Sequence, residues 1–168
     1  MEKKGLKYRI RDRAIKSAVS KNKRLVVFPK LDLIRSVGVI REAESSFDFN
    51  SKKLTGNARM VFLDIIKEKI SEEVSENVIS LSNLNFWGLP ADKKIKPFIS
   101  EPVDLLINFL DFKNDVADYI CAWSKAKFKV NTSYSGDVYD LVIDQQPFNG
   151  SLYIDELEKA ISNFNTLN

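Results

Sequence analysis

Apolar positions follow two rhythms along this chain. Between residues 6 and 19 they recur about every fourth position, at Leu6, Ile10, Ala14 and Ala18, with Ile15 and Val19 beside them. That spacing lays one apolar stripe along a helix, because residues three and four apart share a face. Beyond residue 35 short β-rich runs take over. SVGVIRE (36–42) predicts a first core strand, NVISLSN (77–83) a second and DLLINF (104–109) a third. The third is apolar on both faces, as a central parallel strand is. KFKV (127–130) and YDLVID (139–144) predict a fourth and a fifth.

Helical spacing returns between the runs. In TGNARMVFLDIIKEKI (55–70), Ala58, Val61, Phe62, Ile65, Ile66 and Ile70 fall in helical phase, with Thr55 or Asn57 as the cap. Val116, Tyr119 or Ile120, and Trp123 give the buried side of a helix after the third strand. Leu157, Ala160, Ile161 and Phe164 do the same for a closing helix. Residues 45–54 are polar and loop-like, and NFWGLPADKKIKPFISEP reads as a loop with one short helical turn, broken by Pro90, Pro97 and Pro102.

Strands alternating with helices predict an α/β fold. The expected architecture is a three-layer one, a mostly parallel sheet of about five strands with helices on both faces, preceded by a basic N-terminal helix. The link from Val130 to Tyr139 is short for a crossover between parallel strands. The last strand is therefore expected to pair irregularly or to lie antiparallel at an edge. The chain divides into a basic helical arm (1–30) and a single α/β domain (31–168).

At 168 residues, 44% of them hydrophobic and with eleven Phe, five Tyr and two Trp, the chain builds its core without a disulfide or metal staple. Cys121 is the single cysteine, which suits a reducing compartment. The N-terminus is charged, unlike a secretory signal. No apolar run approaches the roughly 20 residues of a spanning helix. The expectation is a cytoplasmic chain with no transmembrane segment. There is no histidine at all. That removes the commonest general base, the Ser-His-Asp and Cys-His arrangements, and the commonest transition-metal ligand. Neither metal nor cofactor is expected.

Charge is unevenly spread. Residues 1–30 hold eleven of the 26 Lys and Arg but only two of the 23 acids, Glu2 and Asp12, leaving fifteen cations and 21 acids for the rest. An arm near +9 on a body near −6 suits a polyanion, or an acidic partner, or packing of the arm on its own body. The candidate polyanion-binding residues are Lys7, Arg9, Arg11, Arg13, Lys16, Lys21, Lys23 and Arg24. They fit phosphates of RNA or of lipid head groups. No aromatic-rich stretch accompanies the arm in sequence, so a stacking surface for single strands is not indicated there.

Open α/β sheets bind ligands beyond the carboxyl ends of their strands. No Gly-x-Gly-x-x-Gly and no Gly-x-x-x-x-Gly-Lys-Ser/Thr occurs, and the six glycines are scattered singly. Gly38 lies inside a strand, where close backbone packing explains it. Asp111 and Asp144 follow strands expected to be neighbours, so that they could approach each other, and are the candidate ligand-binding carboxylates. They read otherwise as solvated loop acids or helix caps, and Asp104 and Asp140, at strand starts, as turn caps. The lysines of SKAKFK (124–129) end a helix or meet a phosphate. Cys121 reads as a small buried hydrophobe, since no base stands by to activate it. Trp87 reads as a loop anchor folded on the sheet, with an exposed partner-binding role as the alternative.

LNFWGLP, PVDLLINF, SKAKFKV and YDLVID, with SVGVI near the front, resemble an uncharacterised domain-of-unknown-function family of Bacteroidetes proteins over residues 6–165. Members of that family carry a basic N-terminal helix, a strand like SIGILFD and the motif AKFKVG. In this chain Arg41 replaces the first acid of that strand, and Asn131 stands where the glycine would be. The resemblance implies the α/β fold and no activity. DLLINF…ADYICAWSKAKFKVN is also similar to a strand-helix-strand unit of the ADP-heptose type glycosyltransferases, in which substrate lies between two such domains.

Three functions are thus expected. The first is a non-enzymatic interaction module whose arm contacts RNA or the ribosome, or an acidic protein. The second is a small-ligand binder or enzyme using Asp111 and Asp144, a glycosyltransferase-like half domain. The third is peripheral membrane association through the arm.

Overall fold

The computed structural model describes residues 5–49, 54, 58–66, 68, 77–132, 136–145 and 147–166. The apolar stripe of the arm forms α1 (Leu6–Lys21), and SVGVIRE forms β1 (Ser36–Glu42), as its pattern predicts. Then come β2 (Arg59–Ile65), β3 (Val78–Ile79), α2 (Asp92–Ser100), β4 (Leu105–Asn108) and α3 (Asp115–Trp123). β5 (Phe128–Asn131), β6 (Leu141–Val142) and α4 (Gly150–Thr166) complete the described chain.

The six strands form one sheet in the order β3-β2-β1-β4-β5-β6, and every pairing is parallel. β1 and β4 lie at its centre with Val37 to Ile40 and Leu105 to Asn108 all buried. Side chains alternate across a strand. Val37, Val39, Leu105, Ile107, Phe128 and Val130 therefore face α4, packing on Tyr153, Ile154, Leu157 and Ile161. Ile40 and Leu106 face the other layer, where α1, α2 and α3 bring Ala18, Ile95, Phe98, Ile120 and Cys121. Gly38 sits in that layer. A Cβ there would lie 3.1 Å from Leu106 Cδ1 and 3.5 Å from Phe98 Cζ, so the bare backbone is what admits the α2 phenylalanine.

Three expectations are corrected. Residues 59–65 are a strand, not part of a helix. Their apolar residues fit both periods because β2 carries them on both faces. β-branched and aromatic side chains, with Leu63 and Ile65 buried against the sheet's neighbours, tip the balance to the extended form. The proposed caps Thr55 and Asn57, and Ile70, lie outside the described residues. Second, Pro97 does not break the turn after Pro90 but sits within α2. Its missing donor forfeits one intrahelical bond, while Ile95 and Phe98 bury the helix on the core. Third, β6 is not antiparallel. Leu141 and Val142 pair parallel with Val130 and Asn131. α1, arriving from the N-terminus, covers that side, and Val138 packs into the same cluster as Ala18.

Candidate functional site

α1 is not a free arm. Its inner face packs on α3 through Ile15, Ala18 and Val19, with Ala18 fully buried. Polar ties fix both ends. Near the start, Arg11 pairs with Asp115 in the first turn of α3 at 3.2 Å. At the finish, Asn22 donates through Nδ2 to the carbonyls of Ala122 (2.8 Å) and Ser124 (2.7 Å), and its Oδ1 accepts from Lys125 Nζ (3.0 Å). One buried amide thus satisfies carbonyls left open at the end of α3. The two helices run the same way, so α3 presents its acidic first turn to the arm's early arginine. Just beyond α1, Arg24 grips both oxygens of Asp140 at 2.5 and 2.6 Å and donates to the Lys127 carbonyl at 2.9 Å.

The candidate cations therefore fall into two sets. Arg11 and Arg24 are engaged inside the fold, with side chains 30% and 13% exposed. Lys7, Arg9, Arg13, Lys16, Lys21 and Lys23 are exposed. Lys16 binds Asp12 one helical turn away at 2.9 Å, and that bond raises its pKa. Lys7 holds its ammonium 4.9 Å from the ring centre of Phe86. Arg9, Arg13, Lys21 and Lys23 make no ion pair among the described residues. Arg9, Arg13 and Lys16 stand at i, i+4 and i+7, which aligns them on the outward face.

The turn that brings Phe86 to the arm is tightly made. The Asn85 side chain accepts from the backbone N–H groups of Trp87 (2.9 Å) and Leu89 (3.2 Å), and Gly88 N–H donates to the Asn85 carbonyl at 2.8 Å. Gly88 has φ +78°, a conformation that side chains resist. Phe86 is 74% exposed and Trp87 37%, their rings edge to face at 4.9 Å. The reading of Trp87 as an anchor folded on the sheet gives way to a half-exposed aromatic pair beside α1. The sequence hides this, since the two stretches lie some eighty residues apart.

The lysines of SKAKFK are also committed. Lys125 binds Asn22, Lys127 binds Asp104 at 2.7 Å, and the almost fully buried Lys129 donates to the Cys121 carbonyl in the last turn of α3. Burial lowers the Lys129 pKa to about 8 and pushes the neighbouring Cys121 thiol up to about 12, which makes it inert. Asp104 sits at the amino edge of the sheet and accepts from Arg35 N–H, Ser36 N–H and Lys127. Burial raises its pKa, and these partners outweigh it, so the carboxyl ends below its ordinary range.

Two concavities stand out among the described residues. The larger, about 380 Å³, opens between α1 and residues 136–139, lined in part by Tyr8, Asp12, Asp118 and Tyr139. Behind it runs a chain of hydrogen bonds, Asn108 Nδ2 to Tyr139 OH (2.8 Å) and Tyr139 OH to Asp118 Oδ1 (2.7 Å). Three of its four carboxylates are committed, Asp12 to Lys16, Asp115 to Arg11 and Asp118 to Tyr139, and Asp137 is exposed at its edge. The arrangement fixes the 136–140 loop rather than presenting a nucleophile.

The smaller crevice, about 290 Å³, lies at the ends of β1 and β4, lined by Glu42, Glu44, Ser45, Phe109, Asp111 and Phe148. This is where the strand order reverses, the usual ligand position in such sheets. Its floor is aromatic: Phe109 touches Phe47, Phe49 and Phe148 at centroid distances of 5.0–5.1 Å. Its rim is acidic, which disfavours a phosphate. Asp111 belongs to this crevice and Asp144 does not. The two do not follow adjacent strands, because β5 lies between β4 and β6, setting their ends roughly 10 Å apart at the usual strand spacing. No group of three or more His, Cys, Asp or Glu among the described residues could hold a metal ion. No described helix is long and apolar enough to cross a membrane.

An all-parallel sheet in the order 3-2-1-4-5-6, covered on both faces, defines a doubly wound α/β protein in the strand order of dinucleotide-binding folds, here without their glycine-rich turn. The chain belongs to a family of unknown function, DUF6913, whose model matches residues 6–163. No curated protein and no solved structure matches it.

Proposed function

We propose that the protein is a non-enzymatic interaction module whose N-terminal helix contacts a polyanion, RNA in the first place, free or in the ribosome. The observation that carries this reading is the split of cations on the docked helix. Arg11 and Arg24 stabilise the fold, while Arg9, Arg13, Lys21 and Lys23 stand exposed without ion pairs among the described residues. Lys7 and Lys16 extend that surface. A rigid helix holding several cations outward neutralises phosphates without ordering a disordered arm on binding. The acid-lined crevice and the inert thiol offer catalysis little.

The test is retention of RNA by tagged protein at low and moderate salt, with and without ribonuclease. Retention is expected at low salt and lost at moderate salt, and Arg9→Gln/Arg13→Gln/Lys21→Gln should lose it already at low salt. A triple variant that retains RNA like the parent rules the reading out. Flotation with anionic vesicles in place of RNA retention would move the role to a membrane surface. Salt-sensitive co-retention of a protein that survives ribonuclease, with no RNA retained, would point to an acidic protein.

A second reading rests on the crevice at the ends of β1 and β4. There Asp111, with Glu42 and Glu44, lines a space sized for a small polar ligand, as in one half of a glycosyltransferase. Asp144 has no part in it. If Asp111→Asn leaves the chain's response to a panel of sugars and amines unchanged in thermal shift, this second reading is abandoned.

A further inference from the structure

The turn at residues 85–89 projects a large apolar surface, and two observations say what covers it. Phe86 and Trp87 are 74% and 37% exposed on a turn locked by Asn85 and by Gly88 at φ +78°. A flexible loop would fold such rings back onto the core, whereas this one holds them out in a fixed edge-to-face pair at 4.9 Å. One exposed cation meets the pair, and the turn rests against the arm. Lys7 lies 4.9 Å from the Phe86 ring centre, and the Arg11 side chain passes 3.7 Å from where a Gly88 Cβ would lie. Lys93, exposed on the first turn of α2, follows five residues after Gly88. An apolar protein surface would fit the rings but not the charges, and a duplex or simple polyanion would fit the charges but not the rings.

We infer that Phe86 and Trp87 are a stacking platform for unpaired bases, so that the partner of the basic helix is single-stranded nucleic acid. The inference rests on the polyanion reading and narrows it. A base laid on the exposed side of Phe86 brings its phosphates toward Lys7. Flat rings accept any base, so recognition is of single-strandedness and not of sequence. Preorganised aromatics beside cations on a docked helix are the two components that such binding uses.

The experiment measures the affinity of the full chain for single-stranded oligoadenylate RNA, a matched RNA duplex and linear polyphosphate, for the parent and for Phe86→Ser/Trp87→Ser. The parent is expected to prefer the single strand. The double variant should lose roughly 10- to 100-fold for the single strand and little for the other two. Equal parent affinity for all three, with no effect of the substitutions, overturns the stacking platform and leaves the polyanion reading standing. No binding to any of the three overturns both. Intrinsic fluorescence of the unmutated chain gives a readout that does not depend on how the variants fold. Oligoadenylate should quench it and polyphosphate should not, and Trp87→Phe should abolish the quench while Trp123 still reports an intact core. A quench that persists in Trp87→Phe, or none in the parent at saturating oligoadenylate, also overturns the platform.

Discussion

The two faces of α1 carry similar residues and do different work. On the inner face, Arg11 meets Asp115, Ala18 is sealed against α3, and the chain then hands over to Asn22 and Arg24, which tie the α3 carbonyls and Asp140. On the outer face Arg9 and Arg13 meet solvent. A count of charge sees one basic segment. The fold divides it into cations that hold the helix down and cations that are left available. The difference teaches that a basic arm is read by what its charges lack, not by how many there are.

Substitutions on the inner face should cost most. Arg24→Ala leaves the largely buried Asp140 carboxylate without its bidentate partner, its side chain only 14% exposed, and is expected to destabilise the protein by about 3 kcal/mol in urea unfolding. The matching change outside, Arg13→Ala, should stay within about 0.5 kcal/mol of the parent. Comparable losses from both would erase the distinction between the faces. Next in size is Ala18→Leu. Ala18 is fully buried in the core cluster, so overpacking should cost about 2 kcal/mol and loosen α1 first, visible as faster amide exchange over residues 6–21.

A smaller effect comes from the buried ammonium beneath α3. Burial lowers the Lys129 pKa from 10.5 to about 8, while Cys121 contributes in the opposite sense, raised from 9.0 to about 12. Between these values the unfolded chain holds the lysine proton that the folded chain has released, so stability rises with pH from about 8. Above pH 9 the thiol cancels the rise, because the unfolded cysteine ionises and the folded one does not, and above pH 10.5 stability falls. Nearby Arg24 and Lys125 push the lysine down, and Asp140 pushes it up. The net expectation is a gain of about 1 kcal/mol from pH 7 to pH 9. Lys129→Met should remove the rise and leave only the decline of the thiol, measured by urea unfolding across that range. A rise that survives the substitution would assign it to another group.

Much of the scaffold is readable from the pattern alone, and what fails has physical reasons. β1 and β4 announce themselves because a central parallel strand is apolar on both faces, and β5 by its alternation of Phe128 and Val130 with polar residues. The same property disguises β2. Met60, Val61, Phe62 and Leu63 satisfy a helical period as easily as an extended one, and only the neighbouring strands decide between them. β6 escapes because its partner layer comes from the opposite end of the chain. At the candidate site, sequence locates the cations but not their partners. Asp115 and Asp140 lie about a hundred residues from Arg11 and Arg24 and look like any other loop acids. Nor does it place Asp144 two strands from Asp111, or Phe86 under Lys7.

The most direct test of the outward face is the salt dependence of RNA binding, plotted as the logarithm of affinity against the logarithm of salt concentration. The parent should give a steep negative slope, and Arg9→Gln/Arg13→Gln should flatten it by about 1.4, roughly 0.7 for each charge removed from contact with a single strand. Arg24→Lys, altered on the inner side, should leave the slope as it was. An unchanged slope in the outer-face variant, or an affinity indifferent to salt, would contradict the account.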